Sequence, residues 1–104
     1  MIKVSVLYPH ADGRRFDMDY FVNRHLPLVD QTWGPALLRR EIDAGLSGAG
    51  PGTPPPYVAM AHLYFESLQT FLAALGPGQK ELEKEAPAFT DITPIIQVSQ
   101  LAAG

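Results

Sequence analysis

The 104-residue chain contains no cysteine, and this absence excludes several kinds of chemistry. Disulfide bonds, thiolate nucleophiles and thiolate-held iron–sulfur clusters all require that residue. The three histidines, His10, His25 and His62, show none of the short spacings that are typical of a metal motif. A phosphate-binding glycine loop and a Gly-x-Ser-x-Gly nucleophile turn are missing as well. The sequence therefore predicts neither a metal nor a cofactor.

Positive charge and long apolar runs are also scarce. Eight Lys and Arg stand against eleven Asp and Glu, which gives a net charge of −3, so we expect no nucleic-acid partner. No window approaches about 18 consecutive apolar residues, so we expect no membrane span. The first residues, broken by Pro9, are too short for the apolar part of a secretion signal. These features predict a cytoplasmic protein.

Alternating, β-branched and aromatic residues predict four strands over 2–8, 36–44, 57–65 and 93–101. Pro9 ends the first of them. The stretch 45–56 is so rich in glycine and proline that it predicts a loop, a flexible hairpin connection rather than a lid.

A helix is predicted after Ser67, with an apolar stripe that consists of Leu68, Phe71, Leu72 and Leu75. Gly76 and Pro77 are its stop signals, and the charged stretch 79–85 predicts a further, exposed helical turn or two. With a helix between the first two strands, the order is β-α-β-β-α-β. This order predicts one ferredoxin-like α+β domain over 1–104, with four antiparallel strands under two helices.

The first helix carries the most informative stretch of the chain. It begins after the N-cap Asp17, where Phe16 and Phe21 have the spacing of a hydrophobic staple. One apolar arc of this helix contains Met18, Phe21, Val22, Leu26 and Val29. His25 falls near the centre of that arc. Because Pro27 has no N–H and disfavours helical geometry at the preceding residue, we expect the helix to kink or end there.

This position exposes His25 to two opposing effects. In a last helical turn, the free carbonyls favour the imidazolium form, whereas burial favours the neutral imidazole. We therefore expect a histidine that titrates near neutral pH and serves as a general acid or base. The alternative is an ordinary core histidine whose nitrogens are hydrogen-bonded.

The third strand is apolar on both of its faces. One face carries Tyr57, Ala59, Ala61, Leu63 and Phe65. The other carries Val58, Met60, His62 and Tyr64. Two helices cover only one face of an antiparallel sheet, and a face in water usually carries polar residues. We therefore expect a second copy of the chain to cover the other face, which makes the protein a homodimer.

Further residues are candidates for proton transfer or ligand binding. His62 lies beside Tyr64, which can orient it, and the alternative role for His62 is packing with one satisfied nitrogen. Tyr8 ends the first strand, where its hydroxyl serves a site or an ordinary interface hydrogen bond. Asp91 is an acid–base candidate or a turn cap. Trp33 either floors an aromatic pocket or fills the core.

Three segments of the chain resemble the EthD family, which belongs to the dimeric α+β barrel superfamily. The first is 21–28, with the sequence Phe-Val-Asn-Arg-His-Leu-Pro-Leu. The second, 57–71, corresponds to that family's third strand and second helix. The third is Phe89-Thr90-Asp91, with Pro94 and Gln97 beyond it. In this order and spacing they cover almost the whole chain.

The resemblance implies a homodimer whose sheets enclose a barrel, and a small-molecule cleft between sheet and helices with His25 near it. The namesake of the family belongs to ether degradation beside a cytochrome P450 system. Similar superfamily members isomerise lactones, cyclise polyketides, or oxygenate quinols and haem without the usual cofactors. The chain departs from the family pattern at Leu26, where glycine is frequent, and in the 45–56 loop. A bulky Leu26 narrows any cleft beside His25.

The resulting hypothesis is a cofactor-independent enzyme or catabolic accessory protein that acts on a small, mostly apolar organic molecule. Its chemistry would be isomerase-like or cyclase-like proton transfer, or would be linked to an oxygenase. The catalytic candidates are His25, His62 and Tyr8. The substrate-binding candidates are Tyr64, Trp33, Met60, Phe89 and Asp91. A non-catalytic binding dimer that serves a monooxygenase system, and a dimer whose barrel is fully packed, stay open as alternatives.

Overall fold

The chain forms a four-stranded antiparallel sheet with helices on one face, in a computed structural model that describes residues 1–76 and 78–104. The strands are β1 (Ile2–Pro9), β2 (Arg39–Ala44), β3 (Tyr57–Phe65) and β4 (Ile95–Gln100), and their order across the sheet is β2-β3-β1-β4. The helices are α1, α2 (Leu68–Leu75) and α3 (Gly78–Glu85). Helix α1 consists of the consecutive segments Met18–Tyr20, Phe21–His25 and Leu26–Trp33. This order confirms the predicted ferredoxin-like α+β fold.

The strand predictions are confirmed with small shifts at their ends. Residues 36–44 give a shorter strand because Gly34–Ala36 forms a turn of 3₁₀ helix. Strand β4 begins only at Ile95, since Pro94 has no N–H for a strand ladder. The 45–56 stretch is irregular and connects β2 to its antiparallel neighbour β3, as expected of a hairpin connection.

Helix α1 begins as predicted. The Asp17 side chain accepts a hydrogen bond from the Tyr20 N–H at 3.0 Å, which satisfies one of the free donors of the first turn. The Phe16 and Phe21 rings lie 5.4 Å apart, so the hydrophobic staple is present. Asp17 N–H also donates to the Phe89 carbonyl at 2.7 Å, which ties the start of the helix to the segment before β4.

Helix α1 was predicted to kink or end at Pro27, and it does not end there. Phe21–His25 is a π-helical turn in which the Leu26 N–H donates to the Phe21 carbonyl, five residues earlier. Pro27 then lies at the start of a new α-helical segment, where a missing N–H costs little. The helix continues to Trp33 and ends where Gly34 adopts a φ of 47°, a conformation that favours glycine.

Three apolar residues of the predicted helical stripes are exposed, and one residue of the charged stretch 79–85 is buried. Val22 is exposed because the wider π turn does not follow the 3.6-residue arc. Leu68 and Leu72 are exposed because α2 meets the sheet mainly through Phe71. The helical turns predicted over 79–85 exist as α3, but Leu82 on that helix is buried. Pro77, the predicted stop signal, lies outside the described residues.

Two hydrophobic clusters pack between the sheet and the helices. One surrounds Tyr8 and contains Phe21, Leu26, Ala59, Ala61 and Phe89. The other contains Ile2, Val4, Leu63, Phe65 and Phe71. The small side chains of Ala59 and Ala61 therefore face α1, as the two-sided pattern of β3 predicts.

The opposite face of the sheet carries no helix among the described residues. Ile95 is 52% exposed there, and Met60 and Val58 are half-buried. The other face therefore stays uncovered within one chain. No helix in the described ranges is long and apolar enough to cross a membrane.

The cap at Asp17 gives a direct test of how α1 is anchored. We expect Asp17→Ala to lower the free energy of unfolding by about 1 kcal/mol, because the Tyr20 N–H loses its acceptor. Urea unfolding measures this change. Asp17→Ser restores most of the stability, whereas an unchanged midpoint in Asp17→Ala contradicts the capping role.

Candidate functional site

A cavity of about 580 Å³ lies between the helix-covered face of the sheet and the three helices. Its walls are mostly apolar, with β1, β3 and β4 on one side and α1, α2 and α3 on the other. The polar or polar-tipped residues that line it are Tyr8, His25, Trp33, Gln79, Glu83 and Thr93. This size and composition are typical of a pocket for a small organic molecule.

His25 enters this cavity from the π-helical turn of α1. The residue is buried and its ring stacks on Phe21, with ring centroids 5.4 Å apart and planes 23° apart. The Phe89 ring lies 4.6 Å away on another side. Two aromatic rings therefore hold the imidazole in one orientation.

The one hydrogen bond of the His25 ring among the described residues joins Nδ1 to Glu85 Oε1 at 3.0 Å. The His25 side chain is 9% exposed and the Glu85 side chain 24%. A carboxylate at this position accepts from the Nδ1–H, and the lone pair of a neutral imidazole then lies on Nε2. The pair therefore fixes the tautomer that a general base needs.

Burial lowers the pKa of His25 below its usual value, and the hydrogen bond and charge of Glu85 oppose that shift. The expected opposition between burial and a charge-stabilising group is therefore present. Its source differs from the prediction, because His25 lies within α1 and not in a last turn with free carbonyls. The stabilising group is the Glu85 carboxylate on α3.

Glu85 was not predicted as a site residue, because the charged stretch 79–85 was expected to be exposed. Its neighbour Leu82 is buried and both Leu82 and Ala86 line the cavity. Residues three apart lie on one face of a helix, so a buried Leu82 places Glu85 beside the cavity as well. The three-residue spacing between Leu82 and Glu85 could have indicated this position. It is difficult to recognise because six of the eight residues of α3 are polar.

Tyr8 is a buried cavity residue in an aromatic cluster. Its ring contacts Phe16, Phe21 and Phe89, with centroids 4.9, 6.1 and 6.2 Å away. Burial raises the pKa of Tyr8 to about 12. The hydroxyl therefore keeps its proton across the physiological range and can donate a hydrogen bond.

Two polar atoms of these residues face open space. Neither His25 Nε2 nor the Tyr8 hydroxyl has a hydrogen-bond partner among the described residues, and neither atom is fully buried. Trp33 Nε1 also lacks a partner there, but it is fully buried. Both His25 and Tyr8 line the cavity, so their two atoms are candidates for contact with a bound molecule. His25 and Tyr8 thus supply the cavity wall with a basic nitrogen and a hydroxyl donor.

Trp33 and Phe89, two of the predicted substrate-binding residues, also line this cavity. Trp33 packs edge-on against Phe65 with ring centroids 5.7 Å apart, so it fills core space and forms part of the wall at once. Phe89 is almost fully buried and contacts both Tyr8 and His25. Their roles in binding stay predictions.

Three predicted site residues lie on the opposite face of the sheet. His62, Tyr64 and Met60 alternate with the cavity-lining residues of β3, so their side chains cannot meet His25 within one chain. His62 Nδ1 lies 3.1 Å from Ser5 Oγ and Nε2 lies 3.1 Å from Asp43 Oδ2. Within one chain, His62, Tyr64 and Met60 therefore lie on the other side of the sheet from His25, and their roles in catalysis or binding stay predictions.

The remaining candidate, Asp91, lies on the surface and not in the cavity. Its carboxylate accepts a hydrogen bond from the Arg15 N–H at 2.8 Å, and this bond lowers the pKa of Asp91. That contact joins two segments that are distant in the sequence, and the role of Asp91 in binding stays a prediction. In the described part of the chain, no three His, Asp or Glu side chains come together as a metal site.

The sequence model of the EthD domain matches residues 13–93 of the chain. An uncharacterised 11.0 kDa protein in the thcB–thcC intergenic region of Rhodococcus erythropolis is 40% identical over 68 residues. That match covers 64% of this chain and 61% of the relative, so it spans less than two thirds of the relative's length.

A solved structure of an EthD-like protein from Ralstonia eutropha JMP134 superposes with a TM-score of 0.93 at 36% identity. The alignment covers 98% of this chain and 92% of that one. SnoaB, a cofactor-independent oxygenase from Streptomyces nogalater, shares the fold with a TM-score of 0.60 at 12% identity, over 99% and 93% of the two chains. A dimeric ferredoxin-like protein from Thermobifida fusca does so with a TM-score of 0.61 at 16% identity, over 96% and 90%.

These likenesses agree with the geometry of the chain itself. The family match covers most of the sequence and includes the π turn with His25, the β3 strand and the Phe89 segment. The solved EthD-like structure matches nearly every residue of the fold. This chain belongs to the EthD family.

Proposed function

We propose that this protein is an enzyme in which His25 moves a proton on a small, mostly apolar molecule bound in the cavity. The observation that carries the proposal is the position of His25 Nε2. His25 lines the cavity and Nδ1 is held by Glu85, which leaves Nε2 as the ring nitrogen without a partner among the described residues. A base, a group that orients it and a cavity for the reacting molecule are elements of general acid–base catalysis.

The chemistry follows from the protonation states of His25 and Tyr8. Neutral His25 takes a proton from the ligand at Nε2, and the Glu85 carboxylate stabilises the imidazolium that forms. Tyr8 donates a hydrogen bond to the ligand oxygen on which negative charge develops. Return of the proton from Nε2 to another ligand atom completes an isomerisation or a ring closure, and His25 regains its neutral form.

One comparison and one chemical argument support this kind of chemistry without determining it. SnoaB, a distant relative by fold, works as an oxygenase without a cofactor. Proton removal by a buried base is also the first requirement of such a reaction on an activated organic substrate. The alternative function is a binding dimer that holds a ligand for a monooxygenase system and leaves His25 as a hydrogen-bonding residue.

The proposal includes a homodimer formed through the uncovered face of the sheet. Leu7, Met60 and Ile95 give this face an apolar row across three neighbouring strands. A second copy is the simplest partner for such a surface, because most oligomers of soluble proteins are symmetric. The fold relative from Thermobifida fusca, which is described as dimeric, supports the same assignment.

A charge on that row tests the dimer. We expect the wild-type protein to sediment as a dimer and Met60→Asp to sediment as a monomer, because the interface cannot solvate a buried carboxylate. Leu72→Asp is the matched control, since Leu72 is 56% exposed on a helix on the other side of the sheet. A monomeric wild type, or dissociation by both variants, contradicts this interface.

The role of Glu85 is tested through the pKa of His25. Glu85→Gln keeps an acceptor for the Nδ1–H but removes the negative charge, so burial acts with less opposition and the pKa of His25 falls further. The pH titration of the His25 Cε1–H resonance by NMR measures this shift. Glu81→Gln, which changes an exposed carboxylate on the same helix, leaves the pKa of His25 unchanged. A rise in Glu85→Gln contradicts the assignment.

Proton transfer itself is measured as exchange of carbon-bound hydrogen for deuterium. 2-Indanone is a small ketone with exchangeable hydrogens beside its carbonyl. We expect the wild-type protein to accelerate this exchange in D₂O, and His25→Gln to lower the catalysed rate by about 10²- to 10⁴-fold. The readout is loss of the proton NMR signal.

The outcome separates the enzyme from its alternatives. Equal binding of 2-indanone by both proteins without acceleration by either one favours the binding dimer. Val22→Gln is the control, because Val22 is an exposed residue of the same π turn. If His25→Gln unfolds while Val22→Gln does not, His25 is a core residue and the proposed function fails.

A further inference from the structure

The charge of the cavity wall restricts what the cavity can bind. No lysine or arginine of the described residues lines it, and the one carboxylate among its lining residues is Glu83 on α3. Glu85 adds a second negative charge behind His25. The wall therefore contains acidic groups and lacks permanent cations.

Three arginines of the chain are engaged elsewhere. Arg40 makes two hydrogen bonds to the Asp30 carboxylate, at 2.8 and 2.9 Å. Arg15 donates to the Pro87 and Ala88 carbonyls, and Arg39 lies over the Tyr64 ring on the opposite face of the sheet. An anionic ligand would thus lose its hydration without gaining an ion pair.

The Tyr8 hydroxyl and His25 Nε2 require different groups on a ligand. The Tyr8 hydroxyl has no acceptor among the described side chains and carries its proton at physiological pH, so it needs an acceptor oxygen or nitrogen. His25 Nε2 needs a proton donor. Both rings contact Phe21 and Phe89, so Tyr8 and His25 belong to one aromatic cluster in the wall of the cavity.

The rest of the cavity sets the shape of the ligand body. His25 and Trp33 are eight residues apart on α1, which corresponds to about 12 Å along the helix axis. Between these levels the wall is apolar and includes Leu26, Val29 and Phe71. A rigid body of two or three fused rings fits this length.

We propose that the cavity selects an uncharged carbonyl compound with a ring-containing apolar body, whose oxygen accepts from Tyr8 and whose adjacent C–H faces His25. This inference rests on the proposed function and adds the charge and functional group of the ligand. The bond changes balance within the ligand and His25. The C–H bond breaks, its proton moves to Nε2, and its electron pair forms the enolate that Tyr8 stabilises.

Three probes with one carbon skeleton test the inference, namely 2-indanone, indane and indane-2-carboxylate. Calorimetric titration at about pH 8 keeps the carboxylate ionised and His25 neutral. We expect 2-indanone to bind about fivefold tighter than indane through the Tyr8 hydrogen bond. We expect the affinity for indane-2-carboxylate to be lower than that for 2-indanone by a factor of about ten or more.

Tyr8→Phe removes the hydroxyl while it keeps the ring, so it should bind 2-indanone and indane with equal affinity. The chain has one tryptophan, and its single indole N–H resonance reports whether a probe enters the cavity beside Trp33. Thermal unfolding checks that Tyr8→Phe is folded. His25→Gln, which alters the base alone, should keep the preference for 2-indanone over indane.

The outcomes separate this inference from the proposed function. If indane-2-carboxylate binds as tightly as 2-indanone, the ligand class is wrong and the cavity remains a binding site. If Tyr8→Phe keeps the preference for the ketone, the part assigned to Tyr8 is wrong. If none of the three probes binds or shifts the indole resonance, both the inference and the proposed function are overturned.

Discussion

The hydrogen bond between His25 and Glu85 is the contact on which the site depends. It joins two residues 60 positions apart in the sequence, one on α1 and one on α3, across the wall of one cavity. A hydrogen bond of this charged kind contributes roughly 1.5–3 kcal/mol, and its loss would leave a buried N–H unpaired. The same contact that stabilises the packing of α3 therefore also sets the tautomer and lowers the cost of protonating His25.

The π-helical turn explains how a proline-containing helix can present that histidine. Pro27 cannot donate to a carbonyl of the preceding turn, and the wider turn over Phe21–His25 removes the conflict. Such turns are frequent at functional sites, since they change the direction of side chains without ending the helix. Phe21 and His25 both become buried, and Phe89, held by the Asp17 N–H, closes the other side of the imidazole.

Local signals predicted most of the fold, whereas tertiary contacts decided the site. The cap at Asp17 and the two faces of β3 depend on neighbours in the sequence, so they were predicted correctly. His25 was expected on an apolar face because that arc is visible in the periodicity; it and Tyr8 are buried at the cavity, while their catalytic roles stay predictions. Glu85 was missed since its role depends on how α3 packs. His62 could not be separated from His25 until the register of β1 and β3 assigned them to opposite faces.

The most direct test of the account is the protonation state of the His25 ring in the wild-type protein. Long-range ¹H–¹⁵N correlation at about pH 7.5 distinguishes the two neutral tautomers from the imidazolium. The account predicts a neutral ring with its proton on Nδ1 and a lone pair on Nε2. An imidazolium, or a neutral ring with its proton on Nε2, would contradict the claim that His25 is a base facing the cavity.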